Sequence, residues 1–383
     1  MFSSRLHWDL KPNAISHLLT QKRAAGHTIL DLTESNPTRA GLPYPHDEIT
    51  AAFDDPRILQ YEPNPAGLRS TRESICRHWG ENLDPDRLLL TASTSEGYMY
   101  LFKLLTEPGD EILVPRPSYP LFEFLAGMEM VKVIQYPLQY DAQWTIDFDR
   151  LEQAITPRTR ALVLVNPNNP TGSYIHTHEL PHITDVCRRH GLAIISDEVF
   201  SEFPLAAGAT QVRSLRHVDS VLTFCMSGLS KLAAMPQMKL GWMHVNGPPQ
   251  LRDEALARLE LIADTYLSVS TPVQVAAPKL LEIGGGIRSA ISQRTAANLR
   301  LLEHRARNSP LSVLAVEAGW YATVRVPRTR SEEDWVLHLL RDHDVLVQPG
   351  YFYDFESEAF LVLSLLTPEP IFAAGVEPIL ESA

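Results

Sequence analysis

Residues 160–165, RALVLV, run directly into Asn166-Pro167-Asn168-Asn169-Pro170-Thr171-Gly172. A short apolar run without polar alternation, stopped by a proline-rich turn, reads as a strand buried on both faces. Five further runs have the same form: DEILV at 110–114, VKVIQY at 131–136, LAIIS at 192–196, VLTFC at 221–225 and KLGWMHV at 239–245. Helix-patterned segments lie between several of them, among them SEGYMYLFKLL at 95–105 and HELPHITDVCRRH at 178–190. This alternation predicts an α/β fold, with a mostly parallel sheet covered by helices on both faces.

From about residue 251 the pattern changes to long helical stretches, LRDEALARLELIADTYL, VQVAAPKLLEIGG and RSAISQRTAANLRLLEHRARN, followed by WYATVRV, DVLVQPG and FLVLSLL. That order predicts a smaller α+β domain after a linking helix. Gly284-Gly285-Gly286 follows a helical stretch and is read as a helix-ending turn, not as a dinucleotide loop.

The 383 residues suffice for two or three domains, and 44% hydrophobic with 21% charged residues is ordinary globular usage, which excludes a disordered chain. Lys plus Arg number 34 against 46 Asp plus Glu, with no basic stretch, so nucleic acid is not an expected partner. Cys76, Cys187 and Cys225 are widely spaced and form no CxxC pair, which predicts neither a disulfide framework nor a zinc site. The histidines show no ligand spacing, and His176, His178 and His182 are read as solvated; no metal is expected. Charge interrupts the first thirty residues and no later run is long enough to span a bilayer, so the expectation is a cytoplasmic protein without membrane contact.

Open parallel sheets bind ligands beyond the carboxyl ends of their strands. There the run at 160–165 meets Asn169, the run at 192–196 meets Asp197-Glu198, and the run at 221–225 meets Ser227-Gly228-Leu229-Ser230-Lys231. An amine in an apolar neighbourhood has its pKa depressed and can attack a carbonyl. A nearby carboxylate then needs a cation to face, and a protonated pyridine nitrogen is one. Amide, carboxylate and amine at one crevice describe a pyridoxal phosphate site.

In chain order, Tyr61 before an AGL turn, TASTSEG at 91–97, PRPSYP at 115–120, NPNNPTG at 166–172, SDEVF at 196–200 and SGLSK at 227–231 resemble the class I/II aminotransferases of fold type I, the aspartate aminotransferase superfamily. The resemblance covers nearly the whole chain. It implies a large domain binding pyridoxal 5'-phosphate over 46–270, a small C-terminal domain over 271–383, and an N-terminal segment, 1–45, associated with the small one. It also implies amino acid and 2-oxo acid substrates and a homodimer.

By that resemblance Lys231 is the Schiff-base lysine and proton carrier, and Asp197 pairs with the pyridinium nitrogen. Asn169 donates to the phenolic oxygen and Tyr119 stacks on the ring. Ser93, Thr94 and Ser95, at a helix start, cradle the phosphate with Ser227, Ser230 and Lys239. Tyr61 reaches the phosphate of the neighbouring subunit. Several positions depart from the family. Lys239 stands where an arginine is usual, so the charge survives without the bidentate fork. Gly228 replaces a common serine, and Phe200 replaces a tyrosine, so its ring persists without the hydroxyl bond to the phenolic oxygen.

Near the C-terminus the family's substrate-carboxylate arginine belongs in a segment that here reads Glu358-Ala359-Phe360-Leu361-Val362-Leu363-Ser364. A buried carboxylate without a partner is costly. Either Asn36, Asn169 or Arg39 substitutes, or the substrate carries its carboxylate elsewhere or has an apolar group there; Arg328 and Arg341 lie too far along the chain. The leading expectation is amino transfer from an amino acid to a 2-oxo acid. Carbon–sulfur or other elimination on the same fold shares the cofactor motifs, whereas a catalytically silent relative is opposed by the intact Lys231, Asp197 and Asn169.

Overall fold

Along the strand Thr159–Val165, Ala161 and Val163 join one apolar cluster while Leu162 and Leu164 join another, so each face of the strand meets its own layer. Burial on both sides is why the run carries no polar alternation. The structure, a computed structural model, describes all residues except 1, 7, 9, 10, 81, 82 and 207. Its larger sheet has eight strands in the order Leu88–Thr91, Gly241–Asn246, Thr223–Gly228, Ala193–Asp197, Thr159–Val165, Glu111–Arg116, Lys132–Asp141 and Gln143–Ile146. The five from Thr223–Gly228 to Lys132–Asp141 run parallel, and the other three pair antiparallel. The helix Thr94–Leu105 supplies Tyr98, Leu101 and Phe102 to one face, and Leu180–His190 supplies Ile183, Val186 and Cys187 to the other.

Each of the six apolar runs contributes a strand. The run at 131–136 is not buried on both faces, because its strand lies next to the sheet edge and keeps several side chains partly exposed. Leu88–Thr91, fully buried, is a further strand beyond the six apolar runs. In the sheet, the strand after Glu111–Arg116 lies on one side of it and Thr159–Val165 on the other. That reversal opens a crevice at the ends of these two strands. Pro117–Pro120 and Asn166–Gly172 therefore leave the sheet around one opening.

The second sheet orders Ser312–Val313, Tyr321–Arg325, Phe360–Ser364 and Gln348–Pro349, all antiparallel. The N-terminal pair Leu30–Asp31 adds in parallel to Val345–Leu346, and Ile15 and Leu32 enter the same apolar cluster as Trp335 and Leu361.

The three glycines at 284–286 are not a helix end. One helix runs unbroken from Thr271 to Ala306 and contains them. Tertiary contact overrides their poor helix propensity. A Cβ on Gly284 would sit 2.7 Å from the Ala233 Cα, so only glycine lets this helix touch the turn that follows Lys231. His176 is likewise buried, not solvated: Ile175–His176 pairs with Gln211–Val212, and its Nδ1 lies 3.1 Å from Thr210 Oγ1.

Candidate active site

Lys231 sits on the short helix Leu229–Leu232, which starts where the strand Thr223–Gly228 ends. Its Nζ lies 5.5 Å from the Phe200 ring centroid and 4.9 Å from that of Trp320. Burial against these faces pushes the amine down to about 8, and the negative charge of Asp197 works in the opposite direction. Lys231 is thus an amine poised to lose its proton near neutral pH.

Asp197 ends the neighbouring parallel strand, Ala193–Asp197. Desolvation pushes its carboxyl up to about 6, opposed by hydrogen bonds from the Val199 N–H to Oδ1 at 3.3 Å and from the Tyr98 hydroxyl to Oδ2 at 3.1 Å. A carboxylate with both oxygens held, yet costly to charge, is suited to meeting a cation. Asn169 is 8% exposed, and its Oδ1 is buried without a hydrogen-bond partner. Such an orphan acceptor costs about 1–3 kcal/mol, and the other end of the amide, Nδ2, is the end able to donate to a ligand oxygen.

These three side chains line one cavity of about 250 Å³, with Thr94, Ser95, Tyr119, Phe200 and Ser230. Thr94 and Ser95 open the helix Thr94–Leu105, whose first N–H groups have no intrahelical acceptor and favour an anion. The Ser93 hydroxyl is used to cap that helix, accepting from the Glu96 N–H at 3.2 Å. Two glycines set this end of the cavity. A Cβ on Gly241 would stand 3.0 Å from Thr94 N, and one on Gly228 would stand 2.9 Å from the Leu240 carbonyl oxygen. Serine at 228 would therefore collide with backbone, which accounts for the glycine there. The orphan amide, the amine and carboxylate on adjoining strand ends, and the helix N-terminus together fit an aromatic aldehyde bearing a phosphate.

Other expected residues lie outside the wall. Ser227 is buried in its strand opposite Trp242. Lys239 is exposed in a left-handed conformation, φ 53°, immediately before the lining residues Leu240 and Gly241. Tyr61 is 72% exposed. Asn36 is not on the wall: its Oδ1 accepts from the Thr38 N–H and hydroxyl in a local turn, and Ser35 lines the cavity instead. Arg39 is exposed.

Tyr98, Ser35 and Tyr321 also line the cavity and were not anticipated. Tyr98 had a signal, because it lies four residues after Thr94 on a predicted helix and so shares its face. In the C-terminal segment, Val362 joins the cluster of Phe200, Leu229 and Tyr321, whereas Leu361 and Leu363 join the other. Alternation along the strand thus sends Val362, fully buried, into the core behind Phe200 and Tyr321, and none of residues 358–364 lines the cavity. Among the described lining residues Lys231 is the single cation.

Residues 28–371 match the family model described as aminotransferase class I and II. Glutamate-pyruvate aminotransferase AlaA of Escherichia coli strain K12 is 30% identical over 286 residues, 74% of this chain and 69% of that protein. An alanine aminotransferase of Mycobacterium bovis is 26% identical over 370 residues, 92% of this chain and 85% of that protein. Among solved structures, an alanine aminotransferase from Pyrococcus furiosus superposes with a TM-score of 0.87 at 23% identity, covering 100% of this chain and 99% of that one. An aminotransferase from Escherichia coli superposes at 0.86 with 24% identity, covering 100% and 97%.

Proposed function

The chain belongs to the class I and II aminotransferases, enzymes that move amino groups with pyridoxal 5'-phosphate, and from that premise we propose how its own residues do so. Lys231 would hold the cofactor covalently through Nζ. Asp197 would face the ring nitrogen, Asn169 would donate to the phenolic oxygen, and Tyr119 would lie against the ring. Thr94, Ser95 and Ser230 would receive the phosphate, and Lys239, which immediately precedes the lining residues Leu240 and Gly241, would supply positive charge from outside the wall. Bound pyridoxal phosphate supplies a ring that takes up the electron pair left when a proton leaves the amine-bearing carbon of the substrate. Lys231 Nζ is the group of this chain that would take up and move that proton. The observation that carries this reading is the single cavity in which amine, ring-facing carboxylate, orphan amide and helix N-terminus converge.

The relatives' names motivate alanine or glutamate as donor and pyruvate or 2-oxoglutarate as acceptor. No residue of 358–364 lines the cavity, and Lys231 is the single cation among its described lining residues, so these donors are expected to react with weak saturation. Holoenzyme is given single donors with and without acceptor. Sustained release of the donor's oxo acid that requires acceptor supports amino transfer. Sustained release with ammonia and no acceptor would assign elimination instead.

We also propose a homodimer. Leu59, Tyr61, Tyr266 and Leu267 are exposed apolar side chains, and the Asn64 N–H bond to Ser268 Oγ, 2.9 Å, ties their two segments together. A second copy would cover that patch and bring Tyr61 to its partner's phosphate site. The small domain is proposed to comprise residues 271–383 with 1–45 against it, the larger one 46–270. Among the described residues no helix is long and apolar enough to cross a membrane. Three buried, unpaired cysteines support a reducing, cytoplasmic setting.

A further inference from the structure

Tyr98 projects from the helix whose first turn opens on the cavity, one turn after Thr94. It is 2% exposed, and its ring is fixed edge-on against Phe122, centroids 5.4 Å apart, and tilted against Phe102 at 6.0 Å. Held so, the hydroxyl reaches Asp197 Oδ2 at 3.1 Å, while the Val199 N–H takes Oδ1. Both oxygens of the carboxylate are thereby oriented, one by its own strand end and one by the helix that also opens the proposed phosphate site. The other charged or titratable groups facing Asp197 are Lys231, from the following short helix, and Glu198, from its own segment; Tyr136 lies beside Tyr98.

We propose that Tyr98 is the positioning residue of this site, its hydroxyl donating to Asp197 Oδ2 so that the carboxylate keeps its direction and its negative charge toward the cofactor ring. The inference rests on the reading of Asp197 above. Burial and the Asp197 charge drive the Tyr98 phenol well above its ordinary range, so it remains a donor across working pH. A donor to the charged form lowers an acid's pKa, hence removing it raises that pKa. Only the carboxylate attracts a pyridinium, so the defect is largest near and below neutral pH and fades as pH rises.

The test uses the cofactor-free full chain with pyridoxamine 5'-phosphate as probe, which binds without bonding to Lys231. Dissociation constants are measured from about pH 6 to 8.5 for the native protein, Tyr98→Phe, Asp197→Asn and the double variant. Tyr98→Phe deletes one oxygen and keeps the ring contacts, and circular dichroism at each pH verifies its fold. The expected result is roughly tenfold weaker binding near pH 6.5, corresponding to about 1.4 kcal/mol, shrinking to about threefold or less by pH 8.5. In the Asp197→Asn background the same exchange should change affinity by less than about twofold. The infrared carboxyl signal of Asp197 in the empty protein should titrate about one pH unit higher in Tyr98→Phe. A deficit that is constant with pH, or equal in both backgrounds, would reduce Tyr98 to a packing role and overturn the proposal. Native affinity in Asp197→Asn at every pH would instead remove the reading of Asp197, and this proposal with it.

Discussion

Lys231→Met is expected to fold, to bind the cofactor without bonding to it, and to lose amino transfer by about 10⁴-fold or more. The exchange keeps an unbranched apolar stem against Phe200 and Trp320 while removing the amine. Two functions disappear together, attachment of the cofactor and movement of the substrate proton, and no other cation on the described wall can take them over. Stability should not follow activity. The folded-state pKa of Lys231 is lowered from 10.5 to about 8, so burial of the charged amine costs stability in full below pH 8, and that cost fades as pH rises from 8 to 10.5. At pH 7 the variant should therefore melt no lower than the native empty protein. Single-turnover kinetics with amino donor, beside a melting curve, check both halves; a variant retaining a tenth of native turnover would remove Lys231 from the chemistry.

Asp197→Asn should separate the same two quantities. An amide cannot neutralise a ring cation, and losing one such electrostatic partner costs about 10²–10³-fold in rate. The amide oxygen still accepts from the Val199 N–H, and the NH2 that takes the place of Oδ2 donates to the Tyr98 oxygen, so the local geometry survives with that one bond reversed. In the native empty protein the carboxyl is raised from 3.8 to about 6 by desolvation. The charged form is therefore penalised above pH 6, and the penalty vanishes as pH falls through 6 toward 3.8. Because the carboxylate opens on the cavity, the relief at pH 7 should be only about 1–2 kcal/mol, well short of the full shift. Urea unfolding of the cofactor-free forms at pH 7 and pH 4 measures it. Greater stability for the native protein at pH 7 would contradict the sign.

What could be read from residue order was whatever depends on strand ends. Asn169, Asp197 and Lys231 follow three apolar runs, and a parallel sheet carries such residues to one edge. Thr94 and Ser95 were legible because a helix start announces itself by its cap. What escaped were contacts made between elements far apart in sequence. Gly284 looked like a helix stop because glycine is a poor helix former, yet its reason for being there is Ala233, which lies 51 positions earlier and touches it only in the fold. His176 looked solvated because the strand at 211–212 that covers it is two residues long. Asn36 and Ser35 are adjacent, and only the turn closed by Thr38 decides which of them faces the cavity. Tyr98 carried a helical spacing but no motif, since its partner Asp197 is 99 residues away.

Lys231 is proposed to hold the cofactor in the crevice formed by the ends of these strands. Reducing the holoenzyme with borohydride fixes the cofactor to whichever amine carries it, and peptide mass spectrometry locates the pyridoxyl group. One label per chain is expected, on Lys231, with none on Lys239. A label on Lys239 or on another lysine, with Lys231 unmodified, would contradict it.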